Sequence, residues 1–154
     1  REKETAQNYL DIAGVIFTVI NLNLEATLIN KKACEVLGYE EKEVIGKNII
    51  DIFIPEDIRH EVKAFVKKMI NYEIDDSKGT KFNDIILTKK GERRAIEWSV
   101  VRLKDDAGQI TGLLCSGEDI TERIEMQNML IQAKNEWEET FDTINDAITI
   151  HDNN

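Results

Sequence analysis

The stretch Gly117–Arg123, G-E-D-I-T-E-R, is where one kind of structure must give way to another. Ahead of it, Ile110–Ser116 reads I-T-G-L-L-C-S, an apolar and small run preceded by turn residues, which is the pattern of a strand. Behind it the apolar residues fall at helical steps. Asp119 stands where a helix N-cap belongs: its carboxylate can accept a backbone N–H two or three residues on, and Glu122 occupies the reciprocal position of a capping box. Thr121 lies in the first helical turn, within reach of the strand. The sequence therefore expects a strand-to-helix junction at a fixed point, with Asp119, Thr121 and Glu122 as candidates for carrying motion across it.

Working back from this junction, two more strands come into view, Phe82–Thr88 and Arg94–Leu103. They join each other through K-K-G-E (89–92), and the second joins the last strand through D-D-A-G-Q (105–109). Both links are hairpin signals with glycine where a positive φ is wanted. Further upstream, Pro55 precedes a helix whose stripe is Ile58, Val62, Phe65, Val66, Met69 and Ile70. Between Lys31 and Ile52 the pattern breaks into short helical pieces around Gly38 and Gly46. Gly14–Asn21, G-V-I-F-T-V-I-N, is apolar on both faces and reads as a strand covered on both sides, followed by turn chemistry at Asn21–Asn23 and a second short strand, A-T-L-I-N. Residues 1–13 read as a polar amphipathic helix ended by Gly14. The order is β-β, several helices, then β-β-β, which is α+β with an antiparallel sheet.

Composition limits what these elements can serve. A chain of 154 residues, 42% hydrophobic, can bury one ordinary core with some flanking material. A net charge of −10 disfavours a phosphate-binding surface, so no nucleic-acid partner is expected. Cys34 and Cys115 are far apart and suggest neither a disulfide framework nor a zinc site, which fits a reducing, cytoplasmic setting. No apolar run approaches the roughly 18 residues of a membrane span, so no membrane contact is expected in this segment. Because Arg1 is not an initiating methionine, the sequence is read as a piece of a longer protein.

Five segments taken in order resemble the successive signatures of PAS domains: Tyr9–Asn21, I-N-K-K-A-C-E-V-L-G-Y (29–39), V-I-G-K-N-I-I-D-I-F-I-P-E-D (44–57), L-T-K-K-G-E-R-R (87–94) and S-G-E-D-I-T-E-R (116–123). The resemblance spans residues 9–123. It implies the PAS fold, a five-stranded antiparallel sheet with helices on one face, an N-terminal cap helix and a C-terminal signalling helix. It also implies a sensory or relay role in a multidomain signalling protein. A sensor histidine kinase of a two-component phosphorelay is the expected parent; the alternatives are a constitutive dimerisation and interaction module with no ligand, or the PAS domain of a diguanylate cyclase. The domains are accordingly expected at 1–13 (cap helix), 14–119 (PAS domain) and 120–145 (exit helix). A following sensor domain is expected to begin within 146–154, because W-E-E-T-F-D-T-I-N-D-A-I-T-I-H-D resembles another opening helix and first strand about one domain length after Asp11.

Ligand chemistry can be tested position by position. Where the flavin-binding subclass carries a reactive cysteine, this chain has Ile49; where that subclass holds the flavin edge with amides, it has Ile86, Ile96 and Gly117. A flavin would find no polar partners there. A haem ligand would fall near Val62, an aliphatic residue, while His60 turns about 170° away from the helix stripe toward solvent. Neither cofactor is expected. The interior is expected to be apolar, lined by Val66, Met69, Ile86, Ile96, Trp98, Val100, Leu113 and Cys115. It is either a pocket for a small apolar ligand or a filled core. R-H-E-V-K (59–63) looks like the start of a phosphoacceptor box, but Ala64 and Phe65 depart from it, and His151 has no partner in view. No catalytic constellation or metal cluster is legible, so this segment is expected not to be an enzyme.

On the exit helix, Met126, Leu130, Ala133, Trp137 and Ile144 recur at four- and three-residue steps. That is a short coiled-coil seam, expected together with the helix at 1–13 to pair two copies in parallel; the other reading is a stripe that packs back on its own sheet. Neighbouring sensor and kinase domains of the same chain are the remaining expected partners.

Overall fold

The structure is a computed structural model and describes residues 8, 9, 11, 14–71 and 80–152, with side chains as far as 148. Most of the expected cap helix at 1–13 and the D-D-S-K-G loop lie outside the described residues.

From Ile16 onward the described residues form, in order, β1 (Ile16–Asn21), β2 (Ala26–Ile29), α1 (Lys31–Leu37), α2 (Glu41–Val44), α3 (Ile49–Phe53), a 3₁₀ turn (Glu56–Ile58), α4 (Arg59–Ile70), β3 (Thr80–Leu87), β4 (Arg93–Lys104), β5 (Ile110–Asp119) and α5 (Thr121–Asp152). The five strands form one antiparallel sheet in the order β2-β1-β5-β4-β3. The first strand and the last are therefore neighbours at its centre, and the helices fill the crossover between β2 and β3. This is the α+β PAS fold that the segments imply, with helices on one face.

Local chemistry explains the short pieces. Gly38 and Gly46 stand at φ 79° and 82°, a left-handed backbone that side chains other than glycine rarely adopt; Gly38 caps α1, and Gly46 follows Ile45, the residue that closes α2. Asn48 caps α3 by accepting the Ile50 and Asp51 N–H groups at 2.9 and 3.3 Å. The two hairpins close as their turn residues demand: Thr88 N–H donates to Glu92 O and Asp105 N–H to Gln109 O, both at 2.9 Å. Asn30 does more than any sequence motif announces. Only 2% exposed, it accepts N–H groups from Phe17 and Ala33, both at 3.0 Å, and donates to Val15 O at 2.8 Å. One side chain thereby joins β1 to the start of α1 and leaves no orphaned backbone group there.

The core lies between the sheet and the helices. Ile16, Thr18 and Ile20 of β1 point into it, as do Ile86, Ile96, Val100, Leu113 and Cys115 from the other strands, against Ala33, Leu37, Phe53, Val66 and Met69. Met69, 1% exposed, removes enough apolar surface to contribute about 2 kcal/mol. Arg102 sits at an inward position of β4 and is buried. It donates from Nε to Met69 O at 2.5 Å, placing a cation at the C-terminal turn of α4 and tying that helix to the sheet.

Two expectations are corrected. β1 is not covered on both sides: Phe17 and Val19 are only half-buried, so its burial alternates as in a sheet with one packed face. The exit helix does not stop at 145. It continues to Asp152, and Ile148–Ile150, expected to open a strand, are helical. A short β-branched run carries little directional information, and a helix already nucleated propagates through it.

Candidate functional site

An interior cavity of about 60 Å³ lies between the inward face of the sheet and helices α1, α3 and α4. Seven of the eight expected lining residues border it: Val66, Met69, Ile86, Trp98, Val100, Leu113 and Cys115. Ile96 does not. It is completely buried, but it packs beside Gly117, where an added Cβ would come within 2.7 Å of Ile96 Cγ2 and 2.8 Å of the Trp98 ring. Gly117 is small because Ile96 and Trp98 occupy the space above it.

Ile49, Val62 and Ile86 also border the cavity, at the positions where flavin or haem groups would be held. Their side chains offer neither hydrogen bonds nor electron pairs to a metal. His60 is exposed on α4. Among the described residues no group of three or more His, Cys, Asp or Glu could hold a metal ion. Cys115 is not poised for reaction either: burial pushes its thiol up to about 12, leaving almost no thiolate at neutral pH.

Besides the indole of Trp98, a threonine and an aspartate border the cavity, and sequence reading missed both. Thr18 is committed, its hydroxyl donating to Leu28 O at 2.8 Å. Asp84 is different. Its Oδ1 accepts the N–H of the adjacent Ile85 at 2.9 Å, and burial raises its carboxyl above the ordinary aspartate range while that hydrogen bond pulls the other way. The signal was in the alternation: Phe82, Asp84 and Ile86 share one face of β3, so the acid had to point the same way as its apolar neighbours.

At the junction, β5 keeps its pairing with β4 to the end. Asp119 lies opposite Ile96, and Ile120, 3% exposed, still donates its N–H to Ala95 O at 2.9 Å. Asp119 Oδ2 receives Arg94 Nε at 2.8 Å in a pair that is largely shielded from water. Arg94 was not among the expected residues, because the pairing joins positions 25 apart in the chain. Thr121 and Glu122 open α5, two and three residues after Asp119. Along α5, Met126, Leu130 and Trp137 are 64%, 69% and 65% exposed, Ala133 is exposed as well, and the Trp137 ring stacks on Phe141 with centroids 5.2 Å apart.

Among the described residues no helix is long and apolar enough to cross a membrane. A family model described as the PAS fold matches residues 6–120. No curated protein sequence matches the chain. Among solved structures, a PAS domain from Colwellia psychrerythraea superposes with a TM-score of 0.64 at 20% identity, covering 79% of this chain and 99% of that one. A sensory box histidine kinase/response regulator from Burkholderia thailandensis E264 gives 0.63 at 20% identity, covering 86% and 97%. The PAS domain of the RpfR quorum-sensing receptor from Cronobacter turicensis, solved with BDSF and with C12:0, gives 0.59 at 21% identity, covering 70% and 95%. At such identities the likeness is one of fold.

Proposed function

The chain belongs to the PAS family, and from that premise we propose that it is a sensory and relay domain in which the contents of the interior cavity set the position of β5 and hence of α5. The observation that carries this reading is the dual role of one strand. Leu113 and Cys115 of β5 border the cavity, and only Ile120 separates that strand from the first residue of α5. A shift of β5 that accommodates a ligand has little slack in which to dissipate. The Arg94–Asp119 pair and the Ile120–Ala95 hydrogen bond tie the end of the strand to β4 just before the helix begins.

The parent we propose is a cytoplasmic sensor histidine kinase of a two-component phosphorelay, with catalysis carried by another part of the chain; the similarity to a sensory box histidine kinase supports this reading. The output helix pairs with a second copy. Met126, Leu130, Ala133, Trp137, Phe141, Ile144 and Ile148 follow steps of four, three and four, repeated, so the apolar stripe returns at 126, 137 and 148. Such an eleven-residue repeat, about 3.67 residues per turn, stays close to the natural pitch of the α-helix and suits two helices with a slight right-handed supercoil.

Output of the full-length parent, with and without its stimulus, tests the relay. Asp119→Ala removes a partly shielded ion pair of about 1 kcal/mol, too little to unfold the domain but comparable to a typical coupling free energy. The variant is expected to hold one output level while keeping its fold and oligomeric state. A full-range response from the variant would show that the signal leaves by another route.

A further inference from the structure

The cavity has one wall that also faces outward. A surface groove of about 190 Å³ between α4 and β3 is bordered by Glu61, Val62, Phe65, Phe82, Asn83 and Asp84. Three of these, Val62, Phe82 and Asp84, border the interior cavity as well. The groove and the cavity thus share a wall formed by three side chains, with Phe82 held edge-on against Phe65 at a centroid distance of 4.8 Å. At about 60 Å³ the cavity alone is well below the roughly 150 Å³ that holds a benzene ring, so an occupant must also use the space toward the groove.

The chemistry of that wall is one-sided. Behind it the lining side chains are aliphatic, aromatic or sulfur-bearing apart from Thr18 and Asp84, the indole N–H of Trp98 being the one further polar group, and the Thr18 hydroxyl is already bonded. On it stand two acids and an amide, Glu61, Asp84 and Asn83, with no lysine or arginine among the bordering residues. Asp84 Oδ2 receives no hydrogen bond from any described residue. A half-buried carboxyl group with an open acceptor, at the boundary between an apolar cavity and water, favours a ligand that brings a donor and disfavours a second carboxylate.

Building on the reading of the cavity as a sensing pocket, we propose that its ligand is a short apolar chain ending in a hydrogen-bond donor, an alcohol or a primary amine, whose tail enters between Val62 and Phe82 and whose head is received by Asp84. Carboxylic acids of the same length are rejected at neutral pH.

The test titrates the 154-residue chain with 1-hexanol, hexylamine and hexanoate at neutral pH and follows the methyl resonances of Ile86 and Leu113, which report occupancy of the cavity and not attraction to the acidic surface. Hexylamine and 1-hexanol are expected to shift these methyls with affinities about tenfold or more above that of hexanoate. In Asp84→Asn, which keeps the shape and removes the charge, the preference should collapse. Hexanoate binding as tightly as the other two, or a preference unchanged in Asp84→Asn, overturns the assignment of Asp84 while leaving the sensing cavity in place. If none of the three reaches the cavity, even in Val62→Ala with the wall thinned, the interior is a closed core and the sensing reading falls with it.

Discussion

The inward face of the sheet and the exit helix α5 carry the same kinds of side chain and dispose of them in opposite ways. In the sheet domain the inward Ile16, Ile20, Ile86 and Ile96, with Met69 and Leu113, are almost completely removed from water. Along α5, Met126, Leu130, Trp137, Phe141 and Ile144 are each about half exposed or more. The difference is not one of composition. A strand pair supplies its own second layer through the helices that cross over it, whereas a single helix has no layer of its own and buries a stripe only by meeting another surface. The first region accordingly buries its apolar surface internally, and the second leaves its stripe open to water.

That contrast would be broken most visibly at Asn30. Replacing it with Ala strands the Phe17 and Ala33 N–H groups and the Val15 carbonyl in a buried place, at a cost of about 3 kcal/mol. Denaturant titration should show a fall in stability of that order, with the helicity of α5 lost far less than the sheet signal. A loss below about 1 kcal/mol would mean the internal polar hub is not what closes the first region.

Asp84 sharpens the comparison by a smaller amount and in the opposite direction. Its carboxyl is raised by burial, so the folded domain holds a proton that the unfolded chain has released. Stability therefore declines as pH climbs from the ordinary aspartate value through the raised one, and the decline is complete above it. Asp84→Asn should melt higher than the unmodified protein at neutral pH, with the gap closing in acid. Melting curves across that range check the sign, and a variant less stable at neutral pH would show that the carboxylate is satisfied by a cation.

The smallest expected effect on stability is at the seam. With Leu130 and Trp137 both replaced by Glu, the melting of the sheet domain should move by no more than about 0.5 kcal/mol, because neither side chain serves its core. Sedimentation should nonetheless report a change from dimer to monomer. An unmodified protein that is already monomeric at high concentration would remove α5 pairing from the account.

How much of this was legible depends on the range over which each signal acts. Helical pieces around Gly38 and Gly46, hairpins at Gly91 and Gly108, and the stripe on α4 come from backbone preferences and side-chain periods of a few residues, so they can be read along the chain. The five motif segments add the order of elements, and the inward residues of β4 and β5 follow from strand alternation once the direction of the core is known. The same local reading failed at Ile148–Ile150, where three residues are too few to distinguish a strand from a continuing helix.

The sequence by itself determined the order of the five strands and the helices between them, the apolar character of the interior and the apolar stripe along α5, because each is written in neighbouring residues. Only the tertiary structure decided that β5 lies between β1 and β4, that Ile96 is shut out of the cavity beside Gly117, that Arg94 meets Asp119, and that Asp84 stands on the wall shared with the outer groove. The physical reason is that a cavity border and an ion pair are distances through space between segments far apart in the chain. They are set by how whole layers pack against one another, and no period along a single strand or helix contains them.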